Sequence, residues 1–514
     1  MSRTVRAANG FATSVLQYFI QIAVQVLLAP IVLKVAGRET LGAYAAITQA
    51  VALLTLVDVA HSWSLERFLG QSISLGDNGE RFRKVFTTAR TMLLLSNAVF
   101  GLLVVAFSFY VGRLFHLSPA IENEARRALY VIAIWAVLRT PLAAYLNALV
   151  ASQDLAASNT IGAFLGVARA LTSLAFVLAH FGLFGLMLSG SVVEGVGSLL
   201  YRMRFKSLHP TLMPSWGIPD RALFREMIGF GGHAMLLNVG NALMFSSANA
   251  LAGYVGGAAA ASSFYTTQVP ATTGFNMANR LADNATPAIN DLWGSREIAT
   301  FRSALFRLLR LTLAMVLPLA AGVILFNRDV VTAWVGERQY AGTLLTVAVA
   351  AFCVVVPIQR LAMIYAFVIG WVRLLSVTAL LQGAGSVLLG IFLGRRFGLG
   401  GVTLALVIVI VPQTVLLWIR LGRSLSFELN YVFRTCVLPL LLPVALAFGA
   451  GWSASNAFRG HGIYSVLAEV TTFIVVYGSS AYFLALTAED KDDIGRYREK
   501  LLAFYRRKTN PAAA

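Results

Sequence analysis

The 514-residue sequence predicts an all-α polytopic membrane protein with about fourteen transmembrane helices. Three observations carry this expectation. Hydrophobic residues make up 58% of the chain and charged residues 12%, with a mean hydropathy of +0.73, against roughly 25% charged residues in soluble domains. Stretches of about 20 apolar residues recur along the whole length, enough to cross ~30 Å of hydrocarbon at about 1.5 Å per residue. They lack the ten-residue alternation of a barrel strand, so the backbone must satisfy its hydrogen bonds within helices.

Taken in order, the first apolar segment, about 11–35, follows the basic start Met1-Ser2-Arg3-Thr4-Val5-Arg6. It is too long for a signal peptide and has no small-residue cleavage site, so it is expected to remain as span 1. Spans 2 to 6 are expected near 41–64, 91–112, 128–151, 160–181 and 183–201. They carry Asp58 and His61 in span 2, Arg139 in span 4, Arg169 in span 5 and Glu194 in span 6. Spans 7 to 12 fall near 229–252, 260–287, 308–327, 341–366, 374–394 and 400–420, and spans 13 and 14 near 435–454 and 463–487.

The formal charge of +18 would point to nucleic acid in a soluble protein, but here its distribution along the chain is the signal, and no nucleic-acid partner is expected. With the N-terminus inside, alternate connections collect about 27 Lys and Arg and the opposite ones about 10, so both termini are expected in the cytoplasm. Cys353 and Cys436 lie in apolar segments far apart in sequence, which argues against a disulfide framework. No connection is long enough for a soluble catalytic domain, and no Walker-type glycine loop is present, so ATP hydrolysis is not expected.

The polar loop 202–228, with Pro210, Pro214 and Pro219, separates six spans from eight. A faint repeat agrees: Gly10-Phe11 and Thr48-Gln49 recur as Gly229-Phe230 and Thr267-Gln268, at an offset of about 219 residues. The expected organisation is a six-helix half over 1–205, a linker over 206–228, a second six-helix half over 229–430, two extra helices over 431–487 and a basic tail over 488–514. Repeated halves place a substrate path at their interface near the bilayer midplane.

Span 8 carries the sharpest signal. Tyr265, Gln268, Thr272, Asn276, Arg280, Asp283 and Pro287 recur at intervals of three or four and so share one face of a helix. Charged side chains facing lipid at the bilayer centre cost at least ~2.5 kcal/mol, so this face must meet protein or water. Gln17, Gln21 and Gln25 form a similar stripe in span 1, and Asn238, Asn241 and Asn249 lie in span 7; together these faces are expected to surround a hydrated cavity. Bland readings compete with this one. Arg280 pairs with Asp283 one turn on, Arg139 and Arg360 reach the membrane surface, and glutamines glue helices. What survives is an excess of arginine over carboxylate within the spans, which an anionic ligand would balance; the planar guanidinium suits a diphosphate.

Several segments resemble the polysaccharide flippases of the multidrug/oligosaccharidyl-lipid/polysaccharide exporter superfamily. They are Val35-Ala-Gly-Arg-Glu-Thr-Leu-Gly-Ala-Tyr44 followed by Ser64-Leu-Glu-Arg-Phe68, then Tyr265 to Pro287 with Leu292 and the basic 296–310 loop, and Pro318-Leu-Ala-Ala-Gly322 with Val331-Thr-Ala-Trp-Val-Gly336. The resemblance covers most of the chain to about residue 430. It implies two six-helix lobes in a V shape, like multidrug exporters of that superfamily, and alternating access. It further implies a cationic cavity for the diphosphate-sugar head of an undecaprenyl-linked glycan used for O-antigen or exopolysaccharide. The extra C-terminal pair resembles the peptidoglycan-precursor flippases. Asp58 stands where the family usually has glycine, so contacts in span 2 do not carry over.

The expected substrate-binding residues are Arg280, Asn276, Asp283, Arg139, Arg169, Arg360, Gln17, Gln21, Gln25, Asn238 and Asn241. Asp58, His61 and Glu194 are candidates for proton or sodium coupling, and no other cofactor is expected. Partners would be membrane lipids, the polyprenyl-diphosphate glycan and, by family implication, a glycosyltransferase and a polymerase. The rival readings are a cation exporter of the same fold, which should show carboxylates prevailing over arginines, and a glycan polymerase, which needs a larger extracytoplasmic loop than 113–127.

Overall fold

The computed structural model describes residues 22–24, 26–74, 79–152, 154–212, 217–230, 232–458 and 462–485. Among these the chain is helical with no strand, as lipid requires of a backbone that has no water to bond. The first half contains α1 (Ile22–Val35), α2 (Gly37–Leu54), α3 (Leu56–Ser74), α4 (Glu80–Ser108), the short α5 (Val111–Phe115), α6 (Pro119–Ala151), α7 (Leu155–Leu178) and α8 (Gly182–Leu208). The second contains α9 (Arg221–Phe230), α10 (Gly232–Phe245), α11 (Ala248–Gly294), α12 (Ile298–Val335), α13 (Thr343–Ile369) and α14 (Val372–Ser424), then α15 (Leu429–Val432), α16 (Leu438–Ala457) and α17 (Ile463–Leu484).

Nine helical segments among the described residues are long and apolar enough to cross a membrane. The expected spans exceed that number because several are composite. Span 2 runs through α2 into α3, and span 7 through α10 into the start of α11. Two long helices each hold more than one span: α11 breaks at Gly257 (φ 79°, ψ 174°) and α14 at Gly398 (φ 63°, ψ −150°).

Packing follows from the apolar faces. In the first half, Phe82, Phe86, Tyr145 and Phe205 form an aromatic core with Leu65, Phe68 and Leu69 of α3; Phe82 stacks on Phe205 with centroids 5.5 Å apart. In the second half, Phe301, Leu305 and Leu309 of α12 meet Leu361–Ala366 of α13 and Ala278 and Ala282 of α11.

The halves meet where α2 crosses α11. A Cβ added to Gly42 would lie 1.6 Å from the carbonyl oxygen of Ala258, so only glycine lets the two backbones touch there. Small residues commonly mediate such membrane contacts, because dispersion and close approach replace the hydrophobic effect inside lipid. The C-terminal hairpin α16–α17 packs on α12 through Phe326 and Phe473, 5.7 Å apart, and Tyr477 Oη donates to the carbonyl of Ala314 at 2.6 Å. Cys353 and Cys436 are free and buried.

Candidate functional site

The apolar face of α11 is held in the core: Phe264, Ala271 and Ala278 are fully buried, and Phe275 and Ala282 nearly so. That anchoring turns the opposite face inward to a cavity of about 890 Å³. Tyr265, Gln268, Thr272, Asn276, Arg280 and Asp283 all line it, joined by Asn241 and Asn249. Pro287 and Asn238 are not among the lining residues. Across the cavity stand Gln49 of α2, Gln359 and Arg360 of α13, and Thr403 and Leu406 of α14.

One end is sealed by hydrogen bonds. The Asn249 N–H donates to Gln49 Oε1 at 2.6 Å, and Gln268 Nε2 donates to Asn249 Oδ1 at 2.8 Å. The two glutamines of the sequence repeat thus bind one asparagine. Beyond them, Arg38 Nη2 donates to Ser263 Oγ at 2.8 Å, and Ser262 Oγ donates to Gln339 Oε1 at 3.1 Å. Asn327 Nδ2 donates to the Thr267 carbonyl at 3.1 Å, tying α12 into the same seal. The other end is accessible. Thr266 and Thr267 are fully buried, whereas Asn276, Asp283 and Asn284 farther along α11 are exposed.

The charges do not pair along α11 as the nearest sequence neighbours suggest. Asp283 Oδ1 accepts from Arg360 Nη2 at 2.8 Å and from its Nε at 2.9 Å. Arg360 therefore does not reach for the membrane surface, and Asp283 is bridged to α13. Arg139 likewise turns inward, its Nη1 3.3 Å from Glu194 Oε2. Arg139 lies outside the lining of the large cavity, and Arg169 and Glu194 line a separate, smaller one. Gln17, Gln21 and Gln25 lie outside the described residues, and the side chains of Asp58 and His61 in α3 are likewise not described.

Among the described residues, the charged side chains that line the large cavity are Arg280, Arg360 and Asp283. Its polar lining is dominated by eight carboxamides, from Gln49, Asn241, Asn249, Gln268, Asn276, Asn279, Asn284 and Gln359. Carboxamides both donate and accept, so they suit a hydroxyl-rich ligand, while arginine suits an oxyanion. Gln359 is buried and donates to Gln382 Oε1 at 3.1 Å and also to Gln413, which fixes it in the wall. Sequence reasoning singled out neither Gln359 nor Asn279 and Asn284. The signals were present: Gln359 precedes Arg360 in an otherwise apolar span, and Asn279 and Asn284 flank the stripe by one position.

Residues 37–345 match the profile of a family described as polysaccharide biosynthesis protein. The chain belongs to this family. No curated protein matches it. Among solved structures, the family member is similar to the lipid II flippase MurJ in an inward-closed conformation, with a TM-score of 0.64 and 15% identity over 93% of this chain and 98% of that one. It is also similar to an inward-facing multidrug resistance MATE transporter of the MOP superfamily, with a TM-score of 0.62 and 14% identity over 82% and 98%. A MOP transporter from Pyrococcus furiosus, described as having a binding pocket of reversed polarity, aligns with a TM-score of 0.54 and 13% identity over 82% and 96%. The fold is that of MOP transporters, and the expected superfamily resemblance holds. This member of the polysaccharide biosynthesis family is a multi-pass membrane protein with a transporter fold.

Proposed function

We propose that the protein is a flippase that carries undecaprenyl-diphosphate-linked oligosaccharide repeat units across the bacterial inner membrane for O-antigen or exopolysaccharide synthesis. The observation that carries this reading is the lining of the large cavity: among the described residues, two arginines, Arg280 and Arg360, and one carboxylate, Asp283, beside eight carboxamides. Oxyanions select the arginines and sugar hydroxyls select the amides, each held loosely enough for passage. A cation exporter of the same fold would need the opposite sign of charge there. Similarity to a lipid II flippase supports a lipid-linked glycan as the substrate class.

With both termini cytoplasmic, the Gly42–Ala258 crossing lies at the extracytoplasmic side and the cavity opens inward. The halves before and after the 206–228 linker then rock about the cavity. The head group enters at Asp283 and Arg360, meets Arg280, and leaves once the Gln49–Asn249–Gln268 seal parts; the lipid tail stays in the bilayer. A glycosyltransferase that builds the repeat unit and a polymerase that consumes it would act on either side of this step.

Mass spectrometry of polyprenyl-diphosphate glycolipids from cells with the gene intact or deleted tests the proposal. One complete lipid-linked repeat unit should accumulate in the deletion strain. An unchanged glycolipid profile would remove the glycan reading and leave export of another solute.

A further inference from the structure

A second cavity, of about 410 Å³, lies in the first half of the chain between α1, α2, α7 and α8, and Tyr265 of α11 forms a wall of both cavities. Arg169 projects into it from α7 and is open to its interior. The guanidinium lies close against α8: a Cβ added to Gly190 would stand 3.1 Å from Arg169 Nη2, so glycine at that position leaves room for the planar group. The Tyr44 hydroxyl lies beside it. Glu194 shares the cavity and acts on Arg169 from beyond salt-bridge distance, while its ion pair is with Arg139 at 3.3 Å.

Among these three charged side chains, two arginines face one glutamate. One carboxylate does not neutralise two arginines, and within an apolar span the remaining charge favours an anion. The cavity also has two kinds of wall. Arg169 and Tyr44 supply donors, and Val24, Leu28 and Leu165 supply aliphatic surface. Its volume falls within the range of small-molecule sites, roughly 300–1,000 Å³, well beyond what a bare halide fills. A planar fork of donors next to aliphatic carbon selects a tetrahedral oxyanion that carries an apolar substituent.

We propose that this cavity is a phosphate-binding subsite, separate from the large cavity, in which Arg169 and Tyr44 hold the oxygens of a phosphate ester and the aliphatic wall takes the first carbons of its lipid chain. The inference goes beyond the flippase reading, which places the head group at Arg280, and it stands if that reading fails. The ligand has two sources with the same chemistry, a lipid-borne phosphate or free phosphate. The aliphatic wall favours the former.

Native mass spectrometry of the purified full-length protein, titrated separately with a polyprenyl monophosphate, phosphatidylglycerol and inorganic phosphate, tests it. The expected result is binding of at least one probe that falls about tenfold or more in Arg169→Gln and is partly recovered in Arg169→Lys. The probe affected identifies the source. Leu165→Trp, which fills the cavity without altering its charge, should weaken the same probe and covers the case in which Arg169→Gln does not fold. Affinity for all three probes equal to wild type in Arg169→Gln and Leu165→Trp, or no binding of any probe, would each overturn the proposal.

Discussion

Asp283 and Arg360 meet through two donors on one carboxylate oxygen, yet their side chains are 42% and 45% exposed. An ion pair that wet contributes about 0–1 kcal/mol to stability, because water screens the attraction and two long side chains must be ordered. Its effect is electrostatic: Asp283 offsets part of the positive charge that Arg280 and Arg360 bring to the cavity. Asp283→Asn keeps an oxygen acceptor for Arg360 and removes the negative charge. The variant should melt within a few degrees of wild type and bind a polyprenyl-diphosphate glycolipid more tightly, both measurable on purified protein. A large drop in melting temperature would show the pair to be structural. The stripe containing Asp283 was readable in the sequence because polar residues at a spacing of three or four on an apolar helix must turn away from lipid. Its partner was not, because Arg360 lies 77 residues away and nothing local selects it over Arg280.

The α2–α11 crossing decides which end of the cavity is closed. Its contact depends on Gly42, where any side chain meets the backbone of Ala258, and on the hydrogen bonds that gather Gln49 and Gln268 around Asn249. Gly42→Val should therefore part the seal without disturbing either aromatic or aliphatic core. With a reporter cysteine at Thr272, which lines the cavity beyond the seal, thiol labelling from the Gly42 side should be about tenfold faster in Gly42→Val than in the parent, against a low background from the buried Cys353 and Cys436. Equal rates would mean that the crossing is not the gate. The positions of the apolar spans were legible from hydropathy, whereas helix lengths were not: α12 runs for 38 residues across the span expected at 308–327. The breaks at Gly257 and Gly398 were legible only as gaps between spans, since a glycine inside an apolar run does not announce its φ. Composite spans such as α2 with α3 fail a single-helix criterion although the apolar run is continuous.

At the scale of the whole molecule, a MOP-transporter fold encloses one large cavity that is sealed at the α2–α11 crossing and accessible toward Asp283. The family and the fold were within reach of the sequence because membrane solvation dictates helices, and because the glycine, proline and arginine motifs fall at their boundaries. The pairing of Arg139 with Glu194 and the division of the arginines between two cavities were not, as both depend on which helices pack side by side. The central claim is that the large cavity conducts a diphosphate-linked glycan past Arg280. The most direct measurement is flipping of a labelled polyprenyl-diphosphate oligosaccharide in proteoliposomes containing wild type, Arg280→Ala or Arg280→Lys. A charged hydrogen bond contributes about 1.5–3 kcal/mol, so Arg280→Ala should slow flipping by about tenfold or more, and Arg280→Lys should recover part of the rate. Wild-type flipping in Arg280→Ala would contradict the account.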